Sequence, residues 1–285
     1  MFYQKMSNSN KLCYVEDIQI IEQKPQDHLR IMSYNVHGFK NGKNQDKFQQ
    51  ILDVIKKIDP DILVIQEVYV YKRGESRSQD QIAESLMSLG FPEIKFSKSG
   101  INAICSKFPS ECEQIDLQVD PVRRLSRNAL ICKFPQYPDL ILAGTHLDPF
   151  DESGKTRMRQ IEHMYCELRV PENKDKQILI VGDFNSLRRA DYESDEWAQT
   201  VMTGIKRGIY PIEDVVPWLE SESQGFSDSF SQTNKRISVS VWSGRRVDYI
   251  MGSNVRFSDS NVLKTTVSDH YPIFADIQYQ TQTTG

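Results

Sequence analysis

The sequence contains no uninterrupted apolar run of about 18 residues, the length that a membrane-spanning helix needs. Its first residues include Gln4, Lys5 and Asn8, so the apolar core of a secretory signal peptide is missing as well. Basic charge is not in excess either, because 35 Lys and Arg residues stand against 39 Asp and Glu residues. These absences predict a soluble intracellular protein, nuclear or cytoplasmic, without stable membrane insertion.

Cysteine is scarce and follows none of the spacings that carry a known chemistry. The five cysteines form no C-x-x-C pair and no disulfide framework; they are Cys13, Cys105, Cys112, Cys132 and Cys166. We therefore expect reduced thiols with structural roles. Clusters of Cys and His that would hold a soft metal are also absent, which leaves oxygen-rich sites for hard cations.

The net charge of -4 provides no global positive field that would recruit nucleic acid or an anionic membrane. Contact with a polyanion must then come from local clusters, namely Arg123, Arg124 and Arg127, Arg157 and Arg159, Arg188 and Arg189, and Arg245 and Arg246. Such clusters usually form a solvated surface, but arginine also suits bidentate contact with phosphate.

The length of 285 residues suffices for one large core, and the apolar pattern is evenly distributed. Residues 1–28 are polar and irregular, which predicts an N-terminal extension before a single domain over residues 29–285. We expect this domain to act as a monomer.

Hydrophobic periodicity predicts alternating strands and helices. The predicted helices cover residues 44–58, 79–89, 155–168 and 194–206. The predicted strands cover residues 30–36, 62–65, 101–105, 114–119, 129–134, 140–145, 178–181, 238–242, 247–251 and 273–277. Each half of the chain opens with a buried strand and a helix, so we expect an α/β fold of two packed sheets with helices outside.

Polar side chains end or follow most of these apolar strands: Asn35, Glu67, His146, Asp148, Asp183, Asn185, Asp248, Asp269 and His270. A turn, a solvated strand end or a core hydrogen bond explains each of them singly as well as catalysis does. Collectively they favour a site, because sheets place ligands beyond the carboxyl ends of their strands.

The residue types agree on phosphoester hydrolysis. Asp183 could orient or deprotonate a water, and Asn185, two residues on, lies on the same side of the extended chain. Asn185 and His146 could hydrogen-bond the phosphoryl oxygens, and His270, held by Asp248, could do the same or move protons. Glu67, helped by Asp269 or Asn35, offers the oxygen ligands that Mg2+ prefers, and Mn2+ is the alternative.

In this order the segments resemble the motifs of the endonuclease/exonuclease/phosphatase superfamily, whose DNase I-like members include nucleases, inositol polyphosphate phosphatases and sphingomyelinases. They are Ser33-Tyr34-Asn35-Val36, Ile65-Gln66-Glu67, Asn102-Ala103-Ile104-Cys105-Ser106-Lys107-Phe108-Pro109, Thr145-His146-Leu147-Asp148, Gly182-Asp183-Phe184-Asn185, Arg246-Val247-Asp248-Tyr249-Ile250 and Ser268-Asp269-His270. Each motif is weak alone, but seven in the right order over residues 29–279 are specific.

The resemblance implies a four-layer αββα sandwich, in which two mixed β-sheets pack face to face between helices. It implies metal binding at Glu67 with Asn35 and Asp269, and water activation at Asp183. It further implies phosphate contact by Asn185 and His146 and a pair of Asp248 with His270, whose role stays open among acid, base and electrostatic clamp. Candidate substrate contacts are Asn35, Arg127 and Arg157.

Departures from the family patterns bear on the substrate. Val68 follows Glu67 where abasic-site endonucleases have Thr-Lys, which argues against that branch. Gln66-Glu67-Val68 and Arg127-Asn128 are similar to the tyrosyl-DNA phosphodiesterase 2 group. However, Ser33-Tyr34-Asn35 and His146-Leu147-Asp148 replace the Thr-Trp-Asn and His-Leu-Glu-Ser segments of that enzyme.

Two classes of function compete: a metal-dependent phosphoester hydrolase, and a silent binding module that kept the fold. No ligand or acid/base position holds an apolar residue, which favours the enzyme. A phosphodiesterase acting on nucleic acid leads, and a lipid or inositol phosphate hydrolase is the alternative. Trp218 and Trp242 could stack on bases, but we expect core packing for both.

Overall fold

The computed structural model describes residues 21–68, 77–117, 127–206, 213–237 and 239–279. Its helices are α1 (Phe48–Ile58), α2 (Gln79–Ser88), α3 (Lys155–Leu168), α4 (Ser194–Lys206), α5 (Val215–Leu219) and α6 (Ser229–Gln232). Its strands are β1 (His28–Asn35), β2 (Ile62–Gln66), β3 (Glu93–Phe96), β4 (Asn102–Ser106), β5 (Glu111–Leu117), β6 (Arg127–Phe134), β7 (Tyr137–His146), β8 (Gln177–Asp183), β9 (Ser227–Asp228), β10 (Asp248–Ser253), β11 (Phe257–Val262) and β12 (Ile273–Gln278).

The strands form two six-stranded sheets. The first sheet has the order β11-β12-β1-β2-β4-β3, and the second has the order β5-β6-β7-β8-β10-β9. β1 pairs with β2, and β7 with β8, in parallel, while the other pairs are antiparallel. Both sheets are therefore mixed, as the resemblance implies.

Strand side chains alternate between two apolar layers, which is why the central strands are apolar throughout. In β8, Leu179 and Val181 face the core between the sheets, where they meet Ile31 and Val64 of the first sheet. Their neighbours Ile178 and Ile180 instead pack against α3 and α5 in the outer layer. An equivalent outer layer joins α1 and α2 to the first sheet. The expected α/β sandwich of two sheets with outer helices is confirmed.

The predicted bounds of several elements differ from the structure. The first helix begins at Phe48 and not at residue 44, because the Asn41 side chain accepts hydrogen bonds from the backbone of Lys43 and Gln45 and closes a turn there. No strand forms over residues 239–242; the backbone N–H groups of Ser240 and Val241 both bond to the carbonyl of Arg245 within a tight turn. β3, β9 and β11 lie in segments without a clear alternation and were not predicted.

Some predictions fall outside the described residues. These are most of the N-terminal extension with Cys13, residues 118–119 of a predicted strand, Arg123, Arg124 and Ser238. The division at residue 28 therefore stays a prediction, although β1 begins at that position. None of the helices in the described ranges has both the length and the hydropathy that crossing a membrane requires.

The cysteine prediction was wrong for one pair. Cys112 and Cys132 lie opposite each other in the β5–β6 register and form a disulfide across a sequence separation of 20 residues. Among the described residues, Cys105 is a buried free thiol and Cys166 an exposed one. The pairing depends on strand register, which the spacing of the cysteines alone does not reveal.

Candidate active site

Three neighbouring strands of the second sheet bring candidate catalytic side chains to one edge. Asp183 ends β8 and stands in register with His146 of β7 on one side and with Asp248 of β10 on the other. The first sheet ends alongside, with Asn35 of β1 beside Gln66 of β2, directly before Glu67. The motifs that lie far apart in sequence therefore converge at one end of the sandwich.

Gly182 permits the close approach of β7 to β8 at this edge. Its φ of 150° lies in a region that favours glycine, and a Cβ atom there would lie 1.9 Å from the carbonyl oxygen of Thr145. Any side chain at this position would push the strand of Asp183 away from the strand of His146. The glycine of the Gly182-Asp183 motif thus serves the geometry of the site.

Asp183 lies at the centre of the site and is 1 % exposed. Its Oδ1 accepts the backbone N–H of Asn185 at 3.0 Å, and its Oδ2 accepts the side-chain amide of Asn35 at 3.1 Å. The Nε2 atoms of His146 and His270 stand 3.6 and 3.7 Å from Oδ2. Burial, together with the nearby charge of Asp248, raises the pKa of Asp183 to about 7, the range that suits a general base.

His270 and Asp248 form the expected pair. His270 Nδ1 lies 2.9 Å from Oδ2 of Asp248, and Ser240 donates its hydroxyl to the same oxygen at 2.6 Å. Burial alone would lower the pKa of His270, but the charge and hydrogen bond of Asp248 outweigh it and raise the pKa to about 10. His270 is therefore an imidazolium near neutral pH, held with its Nε2 edge toward Asp183.

His146, unlike His270, is a neutral imidazole near neutral pH. It is buried, and this burial, with the nearby Arg127 guanidinium, lowers its pKa to about 3. Among the described residues, its buried Nδ1 atom has no hydrogen-bond partner, and neither does the buried Nε atom of Arg127. Both side chains thus retain hydrogen-bonding capacity that the described part of the chain does not use.

Glu67 and Asp269 face each other across His37, which sequence reasoning missed. The Nδ1 atom of His37 lies 3.3 Å from Oε2 of Glu67 and 3.6 Å from Oδ2 of Asp269. Burial alone would raise the pKa of Glu67, but hydrogen bonds from His37 and Asn35 hold it well below its usual range. The signal for His37 was its position two residues beyond Asn35, the same spacing as Asp183 and Asn185.

The loop that carries His37 has an unusual backbone. His37 and Phe39 adopt φ angles of 47° and 59°, a region that costs free energy outside glycine. Hydrogen bonds fix this conformation: the N–H of His37 bonds to Asn35 Oδ1 at 3.0 Å, and the N–H of Gly38 bonds to the Glu67 carbonyl at 2.8 Å. Strained residues held in this way cluster at functional sites.

These side chains suit a divalent cation. Glu67 and Asp269 supply carboxylate oxygens, and His37 supplies an imidazole nitrogen, a set that fits hard or borderline metals. The side-chain amide of Asn35 donates to Glu67, and its oxygen accepts the backbone N–H of His37; metal binding by Asn35 stays a prediction. A different set is the compact one among the described residues: the ligand atoms of Asp183, Asp248 and His270 lie within 4.8 Å of one another.

Three other predicted residues have contacts that favour holding the fold. The Asn185 amide donates to the carbonyl of Leu147 at 3.2 Å, and one oxygen of Asp148 accepts two backbone N–H groups of its own loop. Arg157 is buried, and its guanidinium bonds to Asp214 and to the Asp148 carbonyl, each at 3.0 Å. These contacts leave Arg127 as the better placed of the two arginines for substrate.

The two tryptophans differ in environment. Trp218 packs edge-on against Tyr165, with ring centroids 5.3 Å apart, as expected for a core residue. The expectation of core packing was wrong for Trp242, which is 63 % exposed and lies in the turn that the hydrogen bond from the Val241 N–H to the Arg245 carbonyl closes.

Several solved structures share this fold. The endonuclease/exonuclease/phosphatase of Beutenbergia cavernae superimposes with a TM-score of 0.64 at 17 % identity, covering 91 % of this chain and 74 % of that one. TDP2 of Caenorhabditis elegans gives 0.61 at 16 % identity, with 90 % and 100 % covered. ANGEL2, described as a 2',3'-cyclic phosphatase and solved with adenosine-2',3'-vanadate, gives 0.55 at 18 % identity, with 88 % and 95 % covered.

Sequence comparison points the same way. The UPF0294 protein YE0917 of Yersinia enterocolitica is 21 % identical over 259 residues, which cover 88 % of this chain and 84 % of the relative. The Endonuclease/Exonuclease/phosphatase family profile matches residues 32–270, a range that contains every candidate site residue described above. The chain therefore belongs to the endonuclease/exonuclease/phosphatase family and is a phosphoester hydrolase.

Proposed function

We propose that this hydrolase is a divalent-metal-dependent phosphodiesterase that acts on nucleic acid. The observation that carries the proposal is the environment of Asp183, which is buried, held from both oxygens by Asn35 and Asn185, and flanked by two histidines. The adenosine-2',3'-vanadate bound to ANGEL2, a nucleotide-like ligand, supports a nucleic-acid substrate. So does the adjacent exposed Trp242, because an aromatic face can hold a base.

In the proposed reaction, Asp183 orients a water and accepts its proton as the water oxygen attacks phosphorus, and the P–O bond to the leaving oxygen breaks, with its electron pair departing on that oxygen. Asn35 and Asn185 fix the direction of the carboxylate, and burial keeps its pKa near 7, so that it can take up a proton at neutral pH. Without these two donors the carboxylate could rotate away from the water.

Charge that develops on the phosphoryl oxygens needs donors in place before the reaction. The His270 imidazolium provides a fixed positive charge, and neutral His146 provides a hydrogen bond, both within 4 Å of the Asp183 carboxylate. Arg127 adds a buried guanidinium; burial lowers its pKa, and the charges of Asp148, Asp183 and Glu67 oppose this shift and favour the cationic form.

Glu67, Asp269 and His37 are the residues that would hold Mg2+ or Mn2+. A cation bound there would supply Lewis-acid stabilisation of the leaving oxygen. Asn35 then has a positioning role, since its amide group holds Glu67 and Asp183 at the same time, each at 3.1 Å.

The proposal is tested by turnover of a substrate panel with Mg2+ and with Mn2+. The panel contains single-stranded DNA, 5'-phosphotyrosyl DNA, sphingomyelin and inositol phosphates, and every assay is repeated with EDTA. We expect metal-dependent cleavage of a nucleic-acid phosphodiester. Turnover of sphingomyelin or of an inositol phosphate, with none on DNA, would overturn the nucleic-acid assignment and support the lipid or inositol phosphate alternative.

A further inference from the structure

Trp242 is the exposed member of the three tryptophans of the chain. Trp197 packs on Tyr192, with ring centroids 5.5 Å apart, and Trp218 packs on Tyr165 at 5.3 Å. Trp242 has no such aromatic neighbour among the described residues, and 63 % of it is open to solvent. A large apolar ring on a surface marks a place of contact when other features converge on it.

Backbone contacts hold Trp242 next to Asp269, one of the candidate metal ligands. Its backbone N–H donates to the carbonyl of Asp269 at 2.9 Å, and the preceding Val241 forms a β-bridge with His270. Gly42 lies between the indole and Asp269: a Cβ atom there would be 3.7 Å from the indole Nε1 and 3.7 Å from Asp269 Cβ. The ring is thus held next to the candidate metal site with no side chain between them.

A groove of about 810 Å3 opens from this point. Its lining includes Trp242, Asp269, and Lys43 and Lys47 from the segment before and at the start of α1. The volume lies within the range of sites that bind small organic ligands. The groove therefore adjoins the candidate site, with which it shares Asp269.

The groove lining contains two basic side chains, Lys43 and Lys47, and two acidic ones, Asp53 and Asp269, so only the lysine side can contact an anion. Neither Lys43 nor Lys47 forms an ion pair with any residue in the described part of the chain. Asp53 also belongs to the lining, at the opposite end of the sequence segment that supplies the lysines. Two ammonium groups beside a flat aromatic face are the elements with which proteins bind single-stranded nucleic acid.

We propose that this groove binds the nucleotides next to the scissile phosphate, with a base stacked on Trp242 and backbone phosphates beside Lys43 and Lys47. The inference rests on the proposed function and narrows it to a single-stranded segment, whose unstacked bases can reach the indole face. An inositol phosphate or a lipid headgroup has phosphate for the lysines but no aromatic face for Trp242, so the indole distinguishes these ligands.

The test measures binding without catalysis. Fluorescence anisotropy of an eight-nucleotide single-stranded DNA with a 5'-fluorescein label is measured as the metal-free full chain is added in EDTA. A second titration uses a labelled oligomer of the same length with tetrahydrofuran abasic units, which keeps the phosphates and removes the bases. We expect saturable binding of the DNA, and a dissociation constant about tenfold weaker in Trp242→Ala, as loss of one base stack implies. Affinity for the abasic oligomer should not change in this variant.

The lysines give a second readout. The double variant Lys43→Gln with Lys47→Gln should bind both oligomers more weakly. It should also reduce the slope of log affinity against log salt by about 1.4, since each phosphate contact on a single strand contributes about 0.7. Trp218→Phe, which changes a tryptophan outside the groove, is the matched control and should retain wild-type affinity for both. A Trp242→Ala protein that binds DNA as the wild type does would overturn the inference. Equal weakening of both oligomers by Trp242→Ala, or no binding of DNA by the wild type, would overturn it as well.

Failure of the groove and failure of the proposed function give different results. Suppose that the wild type cleaves DNA in Mn2+ and that the Trp242→Ala variant binds DNA as tightly as the wild type does. The groove assignment would then be wrong, and the phosphodiesterase assignment would stand. Normal DNA binding that depends on Trp242, without cleavage of any nucleic acid in the panel, would support the groove and contradict the proposed reaction.

Discussion

The side-chain amide of Asn35 donates to Oδ2 of Asp183 at 3.1 Å, and this hydrogen bond joins the two sheets of the sandwich at the active site. Asn35 ends β1 of the first sheet, and Asp183 ends β8 of the second. The second N–H of the same amide holds Glu67, also at 3.1 Å. One residue thus sets the distance between the candidate base and the candidate metal ligand.

Replacement of Asn35 by Ala should lower kcat, while its thermal midpoint should stay similar to that of a matched control variant. The change removes one donor from each of two carboxylates, Asp183 and Glu67, which costs about 1–3 kcal/mol for each acceptor left unsatisfied, and it frees Asp183 to rotate. Asn102→Ala is the matched control, because Asn102 is a buried asparagine whose amide also links two strands, through Asn128. Similar thermal midpoints with a lower kcat only in the Asn35 variant would support the positioning role; equal kcat values would refute it.

The two candidate metal sites predict opposite effects of Glu67→Gln and Asp248→Asn on Mn2+ affinity. If the cation binds at Glu67, calorimetric titration with Mn2+ should show more than about tenfold weaker binding in Glu67→Gln, since even groups behind a ligand contribute that much. Asp248→Asn should then bind Mn2+ as the wild type does. The reverse outcome would place the cation among Asp183, Asp248 and His270, whose ligand atoms lie within 4.8 Å of one another.

His37 should set the metal preference. An imidazole ligand favours Co2+ over Mg2+, whereas carboxylates alone favour the harder ion. His37→Ala should therefore reduce Co2+ affinity severalfold more than Mg2+ affinity, and the visible spectrum of bound Co2+ should shift. His163→Ala is the control, because that side chain is exposed on α3 and pairs only with Glu167 among the described residues. Equal losses for both cations would mean that His37 positions Glu67 without binding metal.

His270 and Asp248 should act as a unit. Asp248→Asn removes the negative charge that keeps His270 protonated, so it should lose much of the kcat that His270→Ala loses. The double variant should be little worse than the worse single variant. Losses in activation free energy that add fully would show two independent roles. Ser240, which donates to Asp248 at 2.6 Å, stays in place in all three proteins.

Sequence patterns predicted the candidate site residues that lie at strand ends, and they missed the one that a turn positions. Asp183, Asp248 and His146 were predictable because each ends or begins an apolar strand, and strand ends meet at a sheet edge. His37 depends on a left-handed backbone at a residue that rarely adopts it, so no local pattern places its side chain between two carboxylates.

Register and exposure were the other gaps. The disulfide of Cys112 with Cys132 follows from how β5 pairs with β6, and the spacing of 20 residues fits many other pairings. Trp242 is of a residue type that usually packs in a core, but its segment folds into a turn whose backbone bonds close on Arg245. Arg157 is buried against Asp214, a partner 57 residues away that no motif indicates.

The central claim is that Asp183 is the general base, and replacement by Asn tests it most directly. Asn keeps the size of the side chain and its hydrogen bonding in a turn but removes the charge and the ability to accept a proton. The measurement is kcat on the best substrate of the panel, together with the thermal midpoint. A folded Asp183→Asn protein whose kcat is about 10²- to 10⁴-fold lower is the predicted result. Near-normal kcat in the folded variant would contradict the account and leave Asp183 as a structural residue.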